Sequence, residues 1–237
     1  MVEVTRYIPI ILTRCAPFAV AYIVIGIALR QLAKWLHPGS DTESTKRRYI
    51  FGSYGTSCVH AILCTFMCMT PWWFSTDFTF MHSAGYFLGD MFIDRDPNYF
   101  LHHLAPLVIG EVFFRSDSRT EHCVYALFCG ELGNSIAHTT SIVTYRTGRL
   151  FRLVETLSFW ISRPFAFWQT FLSWSVDLNP EYRWTTIGIS MLLSYVVLAI
   201  MNAVWMWKML RKLRNPNYDK LKNAKIAQSI ERQKKQT

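Results

Sequence analysis

Apolar residues are concentrated in seven long segments of the 237-residue chain, separated by short polar stretches. The first segment contains one charged residue, Arg14, and the last contains none. About 20 helical residues cross about 30 Å of hydrocarbon, so this pattern predicts an all-α, polytopic membrane helical bundle of about seven transmembrane helices. The predicted segments are Ile8–Leu29, Tyr49–Thr70, Phe80–Ile93, Tyr99–Phe114, His122–Val143, Leu153–Trp174 and Thr185–Trp207.

The third and fourth segments are too short to span a bilayer comfortably by themselves. They are joined by a tight polar turn over residues 94–98, which predicts an interior helical hairpin shielded by the other segments. We divide the chain into a first transmembrane helix with a basic loop (1–47), a membrane domain (48–214) and a basic cytosolic tail (215–237). The sequence contains no evident internal repeat.

Basic residues are distributed unevenly between the predicted loops. If the N-terminus lies outside the cytosol, the cytosolic segments hold 19 Lys and Arg and the opposite segments hold four. This asymmetry agrees with the positive-inside rule, an odd number of spans and a cytosolic C-terminus. Ten of the basic residues follow the last span, where they would contact anionic lipid head groups. We therefore attribute the net charge of +9 to membrane orientation and expect no nucleic-acid partner.

The chain ends with Lys234, Lys235, Gln236 and Thr237. Two lysines at the third and fourth positions from a cytosolic end resemble the dilysine signal, which the coat-protein retrieval machinery of the endoplasmic reticulum reads as an address. The alternative is the end of a basic, disordered tail. We expect the signal, and with it a multi-pass protein of the endoplasmic-reticulum membrane.

Several titratable residues lie inside the apolar segments. A charged group at membrane depth costs about 2.5–3.5 kcal/mol on insertion scales, so each one indicates a function. Glu131, Asn134 and His138 are three and four positions apart, which puts them on one helix face. A hairpin between the third and fourth segments would bring Asp90 towards His102 and His103. Neighbouring histidines point about 100° apart on a helix, so we expect one to face the site and the other to brace it.

An imidazole beside a carboxylate can act as general base, nucleophile or metal ligand. The alternative is a set of hydrogen bonds that join the helices. Taken singly, His60, His82 and His138 fit that alternative better. For His102 and His103 together with Asp90 and Glu131, a functional site is the better interpretation. Arg163 is expected to balance a carboxylate, and Glu111 and Glu155 receive no role.

At these residues the sequence resembles the TLC-domain family of multi-span lipid proteins, which includes the ceramide synthases. Six short motifs carry the resemblance, in the family's order across about residues 48–214. They are Ser57-Cys58-Val59-His60-Ala61, Gly85-Tyr86-Phe87-Leu88-Gly89-Asp90, His102-His103-Leu104-Ala105, Glu131-Leu132-Gly133-Asn134-Ser135, Phe159-Trp160-Ile161-Ser162-Arg163 and Met201-Asn202-Ala203-Val204-Trp205.

The resemblance implies a helical bundle around a central cavity for a long acyl chain. It also implies that His102 and His103 are the catalytic pair, with Asp90 and Glu131 orienting them or handling protons. The supporting or substrate-binding residues would be Asn134, His138, Arg163 and His60. Ceramide synthases carry two aspartates where this chain has Glu131 and Asn134. The chain is therefore more similar to the smaller TLC-domain proteins of lipid homeostasis and trafficking.

Two main hypotheses follow. The first is an intramembrane acyltransferase that takes acyl-CoA as co-substrate from the cytosolic side and acylates a lipid, as in the N-acylation by ceramide synthases, with no bound cofactor or metal. The second is a non-enzymatic protein that binds a membrane lipid or a long acyl chain and acts in lipid homeostasis or trafficking. A third, weaker hypothesis is a metal site formed by the histidines and carboxylates.

Overall fold

The computed structural model describes residues 10–93, 97–116, 118–119, 121–146, 148–215 and 218. Within these ranges the chain forms seven α-helices and no strand, which confirms the predicted all-α class. A π-helical turn, Ser173–Asp177, directly follows the sixth helix. The helices are α1 (Ile10–Leu36), α2 (Thr42–Met69), α3 (Thr76–Ile93), α4 (Pro97–Ser116), α5 (Glu121–Thr144), α6 (Gly148–Leu172) and α7 (Thr186–Arg214).

The first two helices are longer than their apolar segments. Helix α1 continues past Arg30 to Leu36, and α2 already begins at Thr42, so most of the predicted basic loop is helical. Lys34 lies in the last turn of α1, where a basic side chain interacts favourably with the helix dipole. Asp41 caps α2 by accepting hydrogen bonds from the Ser44 amide at 2.9 Å and the Ser44 hydroxyl at 2.6 Å.

Three of the helices are long and apolar enough to cross a membrane: Ile11–Leu36, Thr42–Met69 and Thr186–Arg214. Large apolar side chains are also exposed on α1, α6 and α7, for example Val24, Phe165 and Leu193. Soluble proteins rarely expose such extended apolar surfaces. These helices are therefore consistent with membrane association.

The helices pack side by side in a ring. Its order is α1, α2, α5, α6, α7, α4 and α3, and α3 closes the ring against α1. Helix α3 also contacts α2 and α5, which puts it on the inner side of the ring. The remaining interior is the space in which a site can form.

Helix α3 confirms the prediction of an interior helix, because it is buried along most of its length. Two glycines bring its backbone against α1. A Cβ atom on Gly85 would lie 2.2 Å from Phe18 Cβ, and one on Gly89 would lie 2.8 Å from the Ala19 carbonyl oxygen. This glycine spacing is the small-residue pattern that lets membrane helices pack at close range.

Helix α4, the other half of the predicted hairpin, is only partly shielded. The side chains of Phe100, Leu101 and Leu104 are exposed on its outer face. The prediction of a fully interior hairpin is therefore wrong for α4. Apolar side chains on an outward face need no protein cover where the solvent is lipid. The turn at residues 94–96 lies outside the described part of the chain.

Candidate functional site

A polar cavity of about 340 Å³ enters the ring from one end of the bundle. It lies where α1, α3, α5 and α7 end and where α2, α4 and α6 begin. Its walls combine charged, hydroxyl and imidazole groups at a depth where the surrounding helices are mostly apolar. Residues that define this polar cavity include Arg30, Tyr54, Asp90, His103, His138 and Lys212.

A second, apolar cavity of about 100 Å³ lies next to the polar one. Residues that define it include Phe80, Ile109, Leu127, Phe167, Tyr195 and Leu198. The two cavities share five lining residues, which are Phe87, His102, Glu131, Asn134 and Arg163. Four of these five are polar, so the titratable groups stand at the boundary between a polar and an apolar space.

Asp90 on α3 lies close to the histidine pair on α4, as the predicted hairpin between these two segments requires. His103 Nδ1 lies 3.4 Å from Asp90 Oδ2, and both side chains are buried. The His102 ring centroid lies 5.3 Å from that of His103 and 4.9 Å from that of Trp205 on α7. In the described part of the chain, His102 Nδ1 has no hydrogen-bond partner. Asp90 thus faces one imidazole, while the other lies where the two cavities meet.

Glu131 and Arg163 are linked through an amide. Arg163 Nη2 donates to Asn134 Oδ1 at 2.5 Å, and Asn134 Nδ2 donates to Glu131 Oε2 at 3.0 Å. Gly130 makes room for the guanidinium, because a Cβ atom there would lie 2.9 Å from Arg163 Nη1. The expected balance between Arg163 and a carboxylate is therefore present, but Asn134 mediates it.

The spacing of Glu131, Asn134 and His138 predicts one helix face, and all three residues line the polar cavity. Farther along this wall, the His138 ring centroid lies 5.5 Å from that of Tyr54 on α2. Helix α5 thus contributes a continuous polar stripe to the site.

His60 lies behind this wall and outside both cavities. Its Nδ1 lies 3.7 Å from Glu131 Oε2, and its Nε2 lies 3.2 Å from Ser83 Oγ. The ring stacks on Tyr86 with a centroid separation of 3.9 Å. His60 therefore supports Glu131 from the packed side and has no route to a ligand in the cavity.

His82 belongs to the same packed region. Its Nε2 lies 2.6 Å from the Tyr22 hydroxyl oxygen, and its ring packs edge-on against Tyr22 and Phe18. This agrees with the interpretation of His82 as a residue that joins helices.

Sequence reasoning missed a salt bridge near the open end of the polar cavity. Arg146 Nη2 donates to Glu155 Oε1 at 2.8 Å, and Arg146 also donates to the Tyr54 hydroxyl. The one available signal was Glu155, a carboxylate within an apolar segment. Arg152 directly precedes the predicted segment Leu153–Trp174 and is one of the 19 basic residues counted in cytosolic loops, but in the structure it is buried on α6.

No group of three or more His, Cys, Asp or Glu side chains is arranged to hold a metal ion within the described residues. Lys234 and Lys235, which carry the predicted retrieval signal, lie outside the described residues. Chemically, the site combines two imidazoles, two carboxylates and a guanidinium along the wall of the polar cavity, and His102, Glu131 and Arg163 also line the apolar cavity. No protein-family model, curated protein or solved structure matches this chain in the three comparisons made.

Proposed function

We propose that this protein is a seven-span membrane protein of the endoplasmic reticulum that acylates a membrane lipid. The acyl donor is acyl-CoA, and the acceptor is an amine or a hydroxyl group of a lipid. The similarity of its motifs to TLC-domain proteins supports this proposal, and a cytosolic C-terminus follows from the positive-inside rule.

The observation that carries the proposal is the position of His102, Glu131 and Arg163 at the boundary of the two cavities. An acyl donor has an apolar chain and a polar reacting carbonyl, and such a molecule matches a boundary of this kind. The first methylene groups would occupy the apolar cavity, and the carbonyl would lie beside the imidazoles. Binding sites for small molecules are typically apolar, with a few convergent polar groups.

Asp90 gives His103 a defined part in the chemistry. The carboxylate next to Nδ1 favours the tautomer with the proton on that nitrogen, which leaves the lone pair on Nε2. The acceptor nucleophile attacks the thioester carbonyl carbon while an imidazole takes its proton. The carbon–sulfur bond then breaks, and the CoA thiolate leaves with that proton as the free thiol.

The test is acyl transfer by the purified protein, with labelled acyl-CoA and a panel of amine and lysolipid acceptors. General-base catalysis typically contributes about 10²–10⁴-fold, so we expect His102→Ala together with His103→Ala to lower turnover by at least about a hundredfold. His122→Ala is the matched control, because His122 lines neither cavity. Equal turnover by the wild type and the double variant would refute the proposed chemistry.

One observation favours the non-enzymatic alternative, a lipid-binding protein that acts in lipid homeostasis or trafficking. Glu131 accepts a hydrogen bond from Asn134, which is itself bonded to Arg163, so its charge is already compensated within the wall. A purely structural wall of this kind would hold a lipid without turnover. Co-purified lipid that remains unchanged with every donor and acceptor tested would favour this alternative.

A further inference from the structure

Four cationic side chains surround the open end of the polar cavity. Arg30 comes from α1, Arg146 from the turn after α5, and Lys208 and Lys212 from α7. Glu155 is the carboxylate at this level, and it is bonded to Arg146 at 2.8 Å. Asp90 and Glu131 line the same cavity but contact His103 and Asn134. The positive charge of Arg146 is therefore compensated by its neighbour Glu155.

The remaining three cations, Arg30, Lys208 and Lys212, form no salt bridge within the described residues. Glu155 also attracts Lys212, whose ammonium lies 6.0 Å from the Tyr218 ring centroid. Four cations and this one carboxylate leave a net positive charge at the cavity entrance, which favours an anion that carries more charge or more oxygens than a carboxylate.

Membrane orientation alone does not account for these three residues. Lys34, Arg211 and Arg214 lie on the same helices near the same ends, and they do not line the cavity. Lys208 and Lys212 are one helical turn apart on α7 and both line the cavity, whereas Arg211 does not line it. The positive charge is thus directed into the cavity as well as placed at the membrane surface.

The stem of Arg30 is held by a close helix contact. It packs across Gly52 of α2, where an added Cβ atom would lie 3.0 Å from Arg30 Cγ. Next to Gly52 the cavity wall carries the hydroxyl of Ser53, which can donate to a phosphate oxygen. One turn deeper lies the hydroxyl of Ser57, which donates to the Ser53 carbonyl oxygen. A ligand entering here meets cations first, then hydroxyl groups, and then the imidazoles.

We infer that Arg30, Lys208 and Lys212 form a binding site for a phosphate ester at the entrance of the polar cavity. This inference gives the chemical class of the ligand that the proposed site binds. It rests on the proposed function for how far into the cavity that ligand extends. The phosphate belongs either to the head group of a membrane phospholipid or to a water-soluble molecule such as coenzyme A.

Binding assays on the full chain in maltoside detergent micelles, which contain no phosphate ester, separate the two sources. One arm titrates coenzyme A from solution, and the other measures enrichment of labelled phosphatidic acid by native mass spectrometry. We expect Lys208→Ala with Lys212→Ala to weaken binding in one of the arms by about tenfold or more, as for the loss of one charge-assisted hydrogen bond. Arg30→Ala has the same expected effect.

Arg211→Ala with Arg214→Ala is the matched control, because it removes the same charge from the same helix end outside the cavity. We expect this control to change binding less than about twofold, since its side chains do not line the cavity and act on a bound ligand only through salt-screened solvent. The variant Lys208→Arg with Lys212→Arg should retain binding, which guards against a loss caused by misfolding. Equal weakening by the control pair, or no saturable binding in either arm, overturns the inference.

The same measurements separate this inference from the proposed function. His102→Ala with His103→Ala removes the proposed chemistry and leaves the entrance unchanged, so phosphate binding should persist. A wild-type protein that binds either probe through the three cations without acyl transfer would refute the enzyme and retain the site. Acyl transfer unaffected by the entrance variants would refute the site and retain the enzyme.

Discussion

Two regions of the ring each contain a pair of histidines, and the surroundings of the two pairs differ. His60 and His82 lie in the packed region between α1, α2 and α3, next to the hydroxyls of Ser83 and Tyr22. His102 and His103 lie on α4 beside the polar cavity. His60 is 1% exposed and His103 is 4% exposed, so burial does not distinguish the two regions.

Access to a cavity is what separates them. In the packed region each imidazole touches protein groups, so replacing it changes mainly the stability of the bundle. Beside the cavity, His102 and His103 face space that a ligand can occupy, so replacing them should change mainly activity. A histidine within an apolar segment therefore indicates a residue with a special role, and its neighbours decide whether that role is structural or chemical.

The largest expected effect is on the packed region, at the contact between α1 and α3. Gly85→Leu would push a side chain into Phe18 Cβ, 2.2 Å from the new Cβ atom, and into the Cys15 carbonyl oxygen at 2.9 Å. Backbone atoms cannot move aside cheaply, so we expect a loss of about 3 kcal/mol or more in the free energy of unfolding. Thermal unfolding and size-exclusion chromatography in detergent would measure it.

The control for Gly85→Leu is Ala28→Leu, which adds a similar bulk, one carbon less, to an exposed position of α1. A similar drop in the unfolding temperature for both variants would mean that the close glycine contact does not specify the packing of α3.

The second prediction concerns the cavity region. Asp90→Asn keeps the shape of the side chain and removes the charge beside His103 Nδ1. The amide can present an N–H to that nitrogen and so favour the wrong tautomer, and we expect acyl transfer to fall by about tenfold to a hundredfold. Stability should change little. Initial rates with labelled acyl-CoA would measure the effect.

Asp77→Asn provides the comparison for Asp90→Asn, since it makes the same change in the exposed first turn of α3. If the two variants retain the same rate, Asp90 does not position His103 for catalysis.

Much of the cavity wall could be predicted because its signals are local. The spacing of Glu131, Asn134 and His138 defines one face of α5, and a short connection between two segments brings Asp90 to His103. Both deductions need only the geometry of one helix or one turn. The helix count follows in the same way from the apolar segments.

The residues at the cavity entrance could not be predicted by such reasoning. Arg146, Lys208 and Lys212 occur near helix ends, where basic residues are common on any cytosolic membrane face. Which of them point inwards depends on the rotation of α7 against α6 and on the order of the helices around the ring. Two wrong predictions have the same cause, because no local signal showed that Arg152 is buried on α6. Nor did a local signal show that α4 is less shielded than α3.

A smaller effect is expected for the partner of His82. Tyr22→Phe removes the hydroxyl that lies 2.6 Å from His82 Nε2 and leaves a buried ring nitrogen without that partner. An unsatisfied buried polar group costs about 1–3 kcal/mol, so the free energy of unfolding should fall by that amount. Acyl transfer should stay at the wild-type level, because neither residue lines the polar cavity.

Tyr125→Phe makes the same deletion at an exposed position of α5 and should leave stability unchanged. Loss of acyl transfer in Tyr22→Phe without loss of stability would contradict the division between the two regions, because the packed histidines would then take part in the chemistry.

The smallest effect is expected at Asp41, the exposed cap of α2. Hydrogen bonds from the Ser44 side chain and amide hold the pKa of the Asp41 carboxyl below its ordinary value of 3.8. A depressed folded-state pKa means that the stabilisation is complete above the ordinary value and is lost as pH falls through the folded-state pKa.

At neutral pH, Asp41→Ala should therefore lower the unfolding temperature slightly, and the difference from the wild type should shrink in acid. Asp41→Asn retains a capping oxygen without a charge, so its difference from Asp41→Ala should not depend on pH. If the difference in unfolding temperature between Asp41→Ala and the wild type stayed constant from neutral to acidic pH, the charge of Asp41 would not be the source of the stabilisation. The shape of the capping side chain would then account for it.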